Sequence, residues 1–230
     1  GVFGIPESTL AEKIAAWESS LPEYIRLAYL PKAGIVRLRF SAIGSCRSEM
    51  MVMIERKVIE LKEIIGDNIF TENGESLSEA VGRLLALRGE TVATAESCTA
   101  GLVAHRIVET AGASQWLKGG VVAYSNEIKE SVLSVPHEML KEHGAVSEEV
   151  ARAMAEGAMK ALNTEWAVST TGISGPGGGS AEKPVGLVYI AVARKGGETY
   201  VGRFVFATTR EQHQERATNQ ALFELFNLMK

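Results

Sequence analysis

One junction governs how this chain can fold. Glu90-Thr91-Val92-Ala93-Thr94-Ala95 is an apolar run that passes into Glu96-Ser97-Cys98-Thr99-Ala100-Gly101, and a helix-like segment from Thr99 to Glu109 follows. The same change of pattern recurs downstream. A short apolar strand, Gly120 to Tyr124, precedes a helix that Asn126 caps and that carries Lys129. A helix over about Ser147 to Leu162, with Val150, Met154, Ala158 and Leu162 on one face, leads to a strand over Trp166 to Thr171. A glycine-rich segment from Gly172 to Gly179 comes next. Strands over about Val185 to Arg194 and Thr199 to Ala207 then flank a Lys195-Gly196-Gly197 hairpin turn, and a helix over about Glu211 to Leu228 closes the chain. Alternation of this kind argues an α/β domain whose mixed sheet carries helices on both faces. Such sheets bind ligands at the carboxyl ends of their strands. Ser97, Tyr124 and Gly172 all lie just past predicted strand ends.

The part before this domain reads as a small α+β unit. Leu10 to Ser20 is a polar helix, Tyr24 to Tyr29 is strand-like, and Pro31-Lys32-Ala33-Gly34 makes a turn. Val36, Leu38 and Phe40 alternate with Arg37 and Arg39, the pattern of a half-buried strand. Met50, Ile54, Val58, Leu61 and Ile65 recur at helical spacing over about Arg47 to Ile65. Gly66-Asp67-Asn68 stops that helix, and Ile69-Phe70-Thr71 is expected as a third strand. Glu72-Asn73-Gly74-Glu75 reads as a linker, and Ser76 with Glu79 forms a capping box for the next helix. The expected division is residues 1–73 and 76–230.

Composition narrows the function. The chain is 46% hydrophobic and 23% charged, as a soluble protein with a real core should be, and its net charge of −4 carries no electrostatic footprint for nucleic acid or an anionic membrane. No apolar run reaches the ~20 residues of a membrane span, and no export leader is visible. Cys46 and Cys98 stand far apart outside any CxxC pair, the usage of a reducing cytoplasm. His105, His137, His143 and His213 do not cluster, so no zinc site is expected. The chain opens Gly-Val-Phe-Gly without an initiator Met, which either processing or excision from a longer protein explains.

Ser97 at a strand-to-helix turn has two readings. It can be a nucleophile beside free backbone N–H groups that favour negative charge, or an N-cap that satisfies those same groups. A serine nucleophile needs a base, and no histidine lies near a predicted strand end. Lys129 is the better candidate, provided burial lowers its pKa; otherwise it is a solvated residue on a helix face. Tyr124 is a hydrogen-bond donor to that pair or to a substrate carbonyl, or merely half-buried. Cys98 is a rival nucleophile or a cysteine packed behind the turn. Thr171-Gly172-Ile173-Ser174-Gly175-Pro176-Gly177-Gly178-Gly179 holds five glycines in nine positions, suited to approach of backbone N–H groups to a phosphate, or to a flexible surface loop.

Taken together, these residues resemble the CinA (competence/damage-inducible) family in its C-terminal nicotinamide mononucleotide deamidase domain. The resemblance rests on Ala95-Glu96-Ser97-Cys98-Thr99-Ala100-Gly101-Leu102, on Gly119 to Lys129, on His143-Gly144-Ala145-Val146-Ser147, on the glycine-rich block and on Glu182-Lys183-Pro184-Val185-Gly186. The family often has Gly where this chain has Ala100. Residues 1 to about 73 are similar to the KH-like middle domain of full-length members. A molybdopterin-binding-like domain, linked to ADP-ribose pyrophosphatase activity, normally precedes it and is absent here, in keeping with a piece of a longer protein.

The resemblance implies a serine amidohydrolase of pyridine nucleotide recycling, which converts nicotinamide mononucleotide and water to nicotinic acid mononucleotide and ammonia without metal or cofactor. Its Ser–Lys pair falls on Ser97 and Lys129, and its tyrosine on Tyr124. The substrate-contacting candidates are Thr99, Gly101, Thr171, Gly172, Ser174, Gly175, Gly177 and Gly178. A non-catalytic nucleotide-binding module is the alternative. RNA binding through the KH-like part is not expected: residues 1 to 75 hold nine Lys+Arg against eleven Asp+Glu and no GXXG loop. Leu222, Phe223, Leu225, Phe226 and Leu228 exceed what one helix face requires, so self-association into a homo-oligomer is expected.

Overall fold

The computed structural model describes residues 1–230 and divides into units Gly1–Ser76 and Leu77–Lys230. In the first unit, β1 (Val2–Phe3), β3 (Ile35–Ala42) and β2 (Ile25–Lys32) form an antiparallel sheet in the order β1-β3-β2. Ala33 and Gly34 both take positive φ, 46° and 86°, as a two-residue hairpin turn between right-twisted strands requires. Pro31 is tolerated because β2 is an edge strand. Helices α1 (Glu7–Glu18) and α2 (Arg47–Ile65) complete the unit. Leu10, Ile14 and Trp17 of α1 pack with Val2, Val36, Leu61 and Ile65, and the Trp17 indole donates to the Lys57 carbonyl at 3.1 Å. The strand expected at Ile69-Phe70-Thr71 reduces to a single bridge from Ile69 to Val2. The third strand is β1, because a 3₁₀ turn over Gly66–Asn68 brings the chain alongside it for one residue only.

The second unit is an α/β domain built on five strands. These are β4 (Val92–Glu96), β5 (Leu117–Val122), β6 (Trp166–Gly172), β7 (Leu187–Arg194) and β8 (Tyr200–Val205), in the order β5-β4-β6-β7-β8. β5, β4 and β6 run parallel, while β7 and β8 are antiparallel to their neighbours. The helices are α3 (Leu77–Arg88), α4 (Leu102–Val108), α5 (Asn126–Ser131), α6 (His137–His143), α7 (Glu148–Leu162) and α8 (Arg210–Leu228). Ala93 and Ala95 of β4, with Ala167 of β6, are small enough for α7 to lie close through Val150, Met154 and Ala158. Helix α8 packs with α3, α4, β6 and β7.

Several local expectations change. β5 begins earlier than the pattern suggests and ends before Tyr124, which therefore stands beyond the strand. Ser125, not Asn126, caps α5 by accepting from the Ile128 amide. The sequence places a helix end at His143-Gly144 but gives α6 no range, because seven residues between Pro136 and Gly144 carry too little periodicity to read. The apolar surplus of α8 is spent inside the fold: Leu222, Phe223, Leu225 and Phe226 are buried, and only Leu228 of that set is exposed. That set is therefore accounted for within one chain, apart from Leu228.

Candidate active site

The strand-to-helix junction resolves the two readings of Ser97. Helix α4 starts at Leu102, and its N-cap is Gly101 at φ 99°. The capping acceptor is Glu96, which sequence reasoning passed over. Its buried carboxylate reaches forward: Oε2 accepts from the amides of Gly101 at 2.9 Å and Val103 at 3.0 Å, and Oε1 from Ala104 at 2.8 Å. Oε2 also accepts from the Thr99 hydroxyl at 2.7 Å. Ser97 is thus released from capping. Its amide donates to the Thr170 carbonyl at 2.9 Å, and its side chain sits half-buried at the carboxyl end of the sheet.

Lys129 comes to Ser97 from α5. Its Nζ donates to the Ala123 carbonyl at 2.8 Å and lies 3.4 Å from Ser97 Oγ. That contact is long, as catalytic hydrogen bonds commonly are before substrate tightens them. Lys129 is 1% exposed. Burial pushes its pKa below the ordinary 10.5 of a lysine, with the nearby Cys98 thiol pulling the other way. No carboxylate is bonded to the amine to hold it charged. Gly157 of α7 sets where this helix lies: a Cβ there would stand 1.9 Å from the Leu133 carbonyl, just past α5.

Cys98 is buried, and desolvation pushes its thiol up to about 12, so it stays protonated behind the turn and is no rival nucleophile. Thr99 and Thr171 are also buried, and their hydroxyls are engaged within the protein. With its proton given to Glu96, the Thr99 hydroxyl accepts from Thr170 Oγ1 at 2.7 Å, and Thr171 Oγ1 donates to the Ala145 carbonyl at 2.6 Å. Gly172 ends β6, where a Cβ would come 2.6 Å from the Leu187 carbonyl. Tyr124 is 62% exposed, and its hydroxyl accepts from Arg210 at 3.2 Å rather than bonding to the Ser97–Lys129 pair.

The glycine-rich segment is a loop between β6 and β7. Its neck closes through the Ile173 amide to the Leu187 carbonyl and the Gly186 amide to the Ile173 carbonyl, both at 2.8 Å. Gly175 and Gly178 take positive φ, 77° and 86°. Gly177, Gly178 and Gly179 are exposed, and no backbone carbonyl accepts from their amides. Ser174 and Gly175 are buried at the base.

The first turns of α8 tie these parts together; the helix was expected from about Glu211, but its residues were given no part in the site. Arg210 donates to the Gly175 carbonyl at 2.9 Å and to Tyr124. His213 bonds Ser174, and Gln214 donates to the Cys98 carbonyl at 2.9 Å. The signal was the i, i+3, i+4 spacing of Arg210, His213 and Gln214, which puts all three on one helix face. No group of three or more His, Cys, Asp or Glu side chains is placed to hold a metal ion. No helix is long and apolar enough to cross a membrane.

The chain belongs to the CinA family. Residues 74–229 match the CinA C-terminal domain, and residues 1–71 match the damage-inducible protein CinA KH domain. A CinA-like protein of Cytophaga hutchinsonii is 45% identical over 190 residues, 83% of this chain and 46% of that protein. One from Chlorobium chlorochromatii is 41% identical over 230 residues, all of this chain and 54% of the relative. The chain thus spans about half the length of these relatives. Among solved structures, competence/damage inducible protein CihA from Agrobacterium tumefaciens superposes with a TM-score of 0.66 at 38% identity, over 70% of this chain and 99% of that one. A CinA superfamily protein from Escherichia coli gives 0.65 at 31% identity, over 71% and 98% respectively.

Proposed function

We propose that the second unit is a serine amidohydrolase that converts nicotinamide mononucleotide and water to nicotinic acid mononucleotide and ammonia. The observation that carries this reading is a desolvated lysine, Lys129, 3.4 Å from the hydroxyl of a half-buried serine freed from capping. Neutral Lys129 takes the Ser97 proton as Oγ attacks the carboxamide carbon. The amides of Cys98 and Thr99, taken up neither by Glu96 nor by the turn, are the donors left for the oxyanion. The Lys129 ammonium then protonates the departing nitrogen, ammonia leaves, and Ser97 is left as an ester. Lys129 next deprotonates a water that attacks the ester, releasing the acid and restoring the serine.

Recognition falls to the glycine-rich loop and Arg210. The exposed amides of Gly177, Gly178 and Gly179 and the Arg210 guanidinium suit a phosphate. Tyr124, held by Arg210, belongs with this side of the site rather than with proton transfer. The test is ammonia release from nicotinamide mononucleotide, expected for this chain and lost in Ser97→Ala and Lys129→Ala. Nucleotide binding without ammonia would instead favour a non-catalytic binding module.

A further inference from the structure

His213 and Ser174 play no part in the chemistry above, yet both are buried at the base of the loop assigned to the phosphate. His213 is 0% exposed and Ser174 5%. The imidazole spans the neck: Nε2 lies 3.1 Å from the Gly186 carbonyl and Nδ1 lies 2.9 Å from Ser174 Oγ. A carbonyl can only accept, so Nε2 carries the ring hydrogen and the Ser174 hydroxyl donates to Nδ1. Burial pushes the His213 pKa below the ordinary 6.5, the Gly186 carbonyl pulls it back up, and the Arg210 charge lowers it again. Burial and the Arg210 charge thus favour the neutral ring, in which Nε2 donates to the Gly186 carbonyl and Nδ1 accepts from Ser174. The Phe206 ring lies edge-on, its centroid 6.1 Å away. One turn earlier on the same helix, Arg210 holds the Gly175 carbonyl. The helix thus grips residues 174 and 175 at one side of the loop and 186 at the other, leaving the tip from Pro176 exposed.

We propose that His213 and Ser174 are a positioning pair that fixes the width of the 173–186 loop, and thereby sets the preference for a nicotinamide nucleotide over its phosphate-free nucleoside. The proposal rests on the amidase reading. A phosphate is bound by several short N–H contacts whose strength depends on preorganised spacing, so a loosened neck weakens them together. Neither residue is a hydrogen-bond partner of Ser97 or Lys129, so proton transfer is untouched.

The experiment compares Ser174→Ala, His213→Gln and the double variant with the unmodified chain, using nicotinamide mononucleotide and nicotinamide riboside. Each single change should raise KM for the nucleotide about tenfold with kcat within about twofold, and leave the riboside constants unchanged. The double variant should be no worse than the more damaging single one, as two halves of one link require. Equal losses on both substrates, a fall in kcat alone, or additive effects would overturn the proposal. A second readout is independent of turnover and of the bulkier His213 change. In Ser174→Ala, hydrogen exchange at the Ile173 and Gly186 amides should quicken about tenfold relative to amides of α7. Unchanged exchange overturns the pair. If the unmodified chain releases no ammonia, the amidase reading fails, and quickened exchange would still establish that the pair sets the loop.

Discussion

Replacing Glu96 by alanine tests whether the cap and the nucleophile are one device. The change strands the amides of Gly101, Val103 and Ala104, and removes one of the two partners of the Thr99 hydroxyl. Val103 is fully buried and bears the full penalty of an unpaired donor, about 1–3 kcal/mol. Gly101 and Ala104 are only part-buried and can turn toward water, so together they add about 1–2 kcal/mol. The sum is about 2–5 kcal/mol, which in a unit of this size lowers Tm by roughly 4–20 °C. Ser97 stays tied at its amide, but the turn after it loses its anchor. A displacement on the order of 1 Å at a nucleophile costs about 100-fold in rate. Glu96→Gln should fall between, since its amide oxygen can serve the three Oε2 donors while its NH₂ group confronts the Ala104 amide, at about 1–2 kcal/mol. Thermal unfolding by circular dichroism and ammonia release below the transition measure the two effects. If Glu96→Ala unfolds within about 2 °C of the unmodified chain, or keeps its rate, the capping account is wrong.

Five further outcomes follow from the same geometry. In the proposed mechanism neutral Lys129 is the working form, and burial lowers its pKa, so kcat/KM should rise with pH through a value below 10.5. The unfolded chain holds that proton longer than the folded one, so stability should also climb between the folded pKa and 10.5, and a Lys129→Met variant should lose that slope. Cys98→Ala should keep its rate within about twofold, because the thiol is protonated; a tenfold loss would restore Cys98 as a nucleophile. Arg210→Ala should raise KM for the nucleotide about tenfold and spare kcat, by steady-state kinetics. Gly157→Ala forces the Leu133 carbonyl away, so it should cost about 1–3 kcal/mol of stability and slow ammonia release; an unchanged rate would show that α5 is seated some other way.

Much of the fold was legible because its signals are local. The strand ending at Glu96, the helix faces and the hairpin turn each rest on periodicity or turn chemistry within a few residues. The Ser97–Lys129 pair was legible as two residues past strand ends, and their 3.4 Å approach needed the parallel pairing of β4 with β5. Glu96 escaped notice because a capping side chain normally precedes its helix directly, whereas this one reaches amides five to eight residues ahead. Arg210 and His213 escaped because the partners of each lie at least 27 residues away in sequence. Ala100 takes φ 52°, a left-handed conformation that costs a residue with a Cβ about 1 kcal/mol. The glycine frequent at that position in the family would be free of that strain.

The Ser97 amide bond to Thr170 has a wider consequence. It extends the β4–β6 ladder one residue beyond β4, so the Ser97 hydroxyl is mounted on the sheet's interior strands rather than on a loop. The glycine-rich loop hangs instead from the β6–β7 hairpin, in the antiparallel half. Under the proposed amidase reading, acyl transfer and substrate choice are thus hung on separate hardware. Exchanging residues 176–182 for another sequence should change which amides are cleaved while leaving the serine reactive toward a small activated ester. A lineage with this architecture can acquire new substrates without rebuilding its reaction centre.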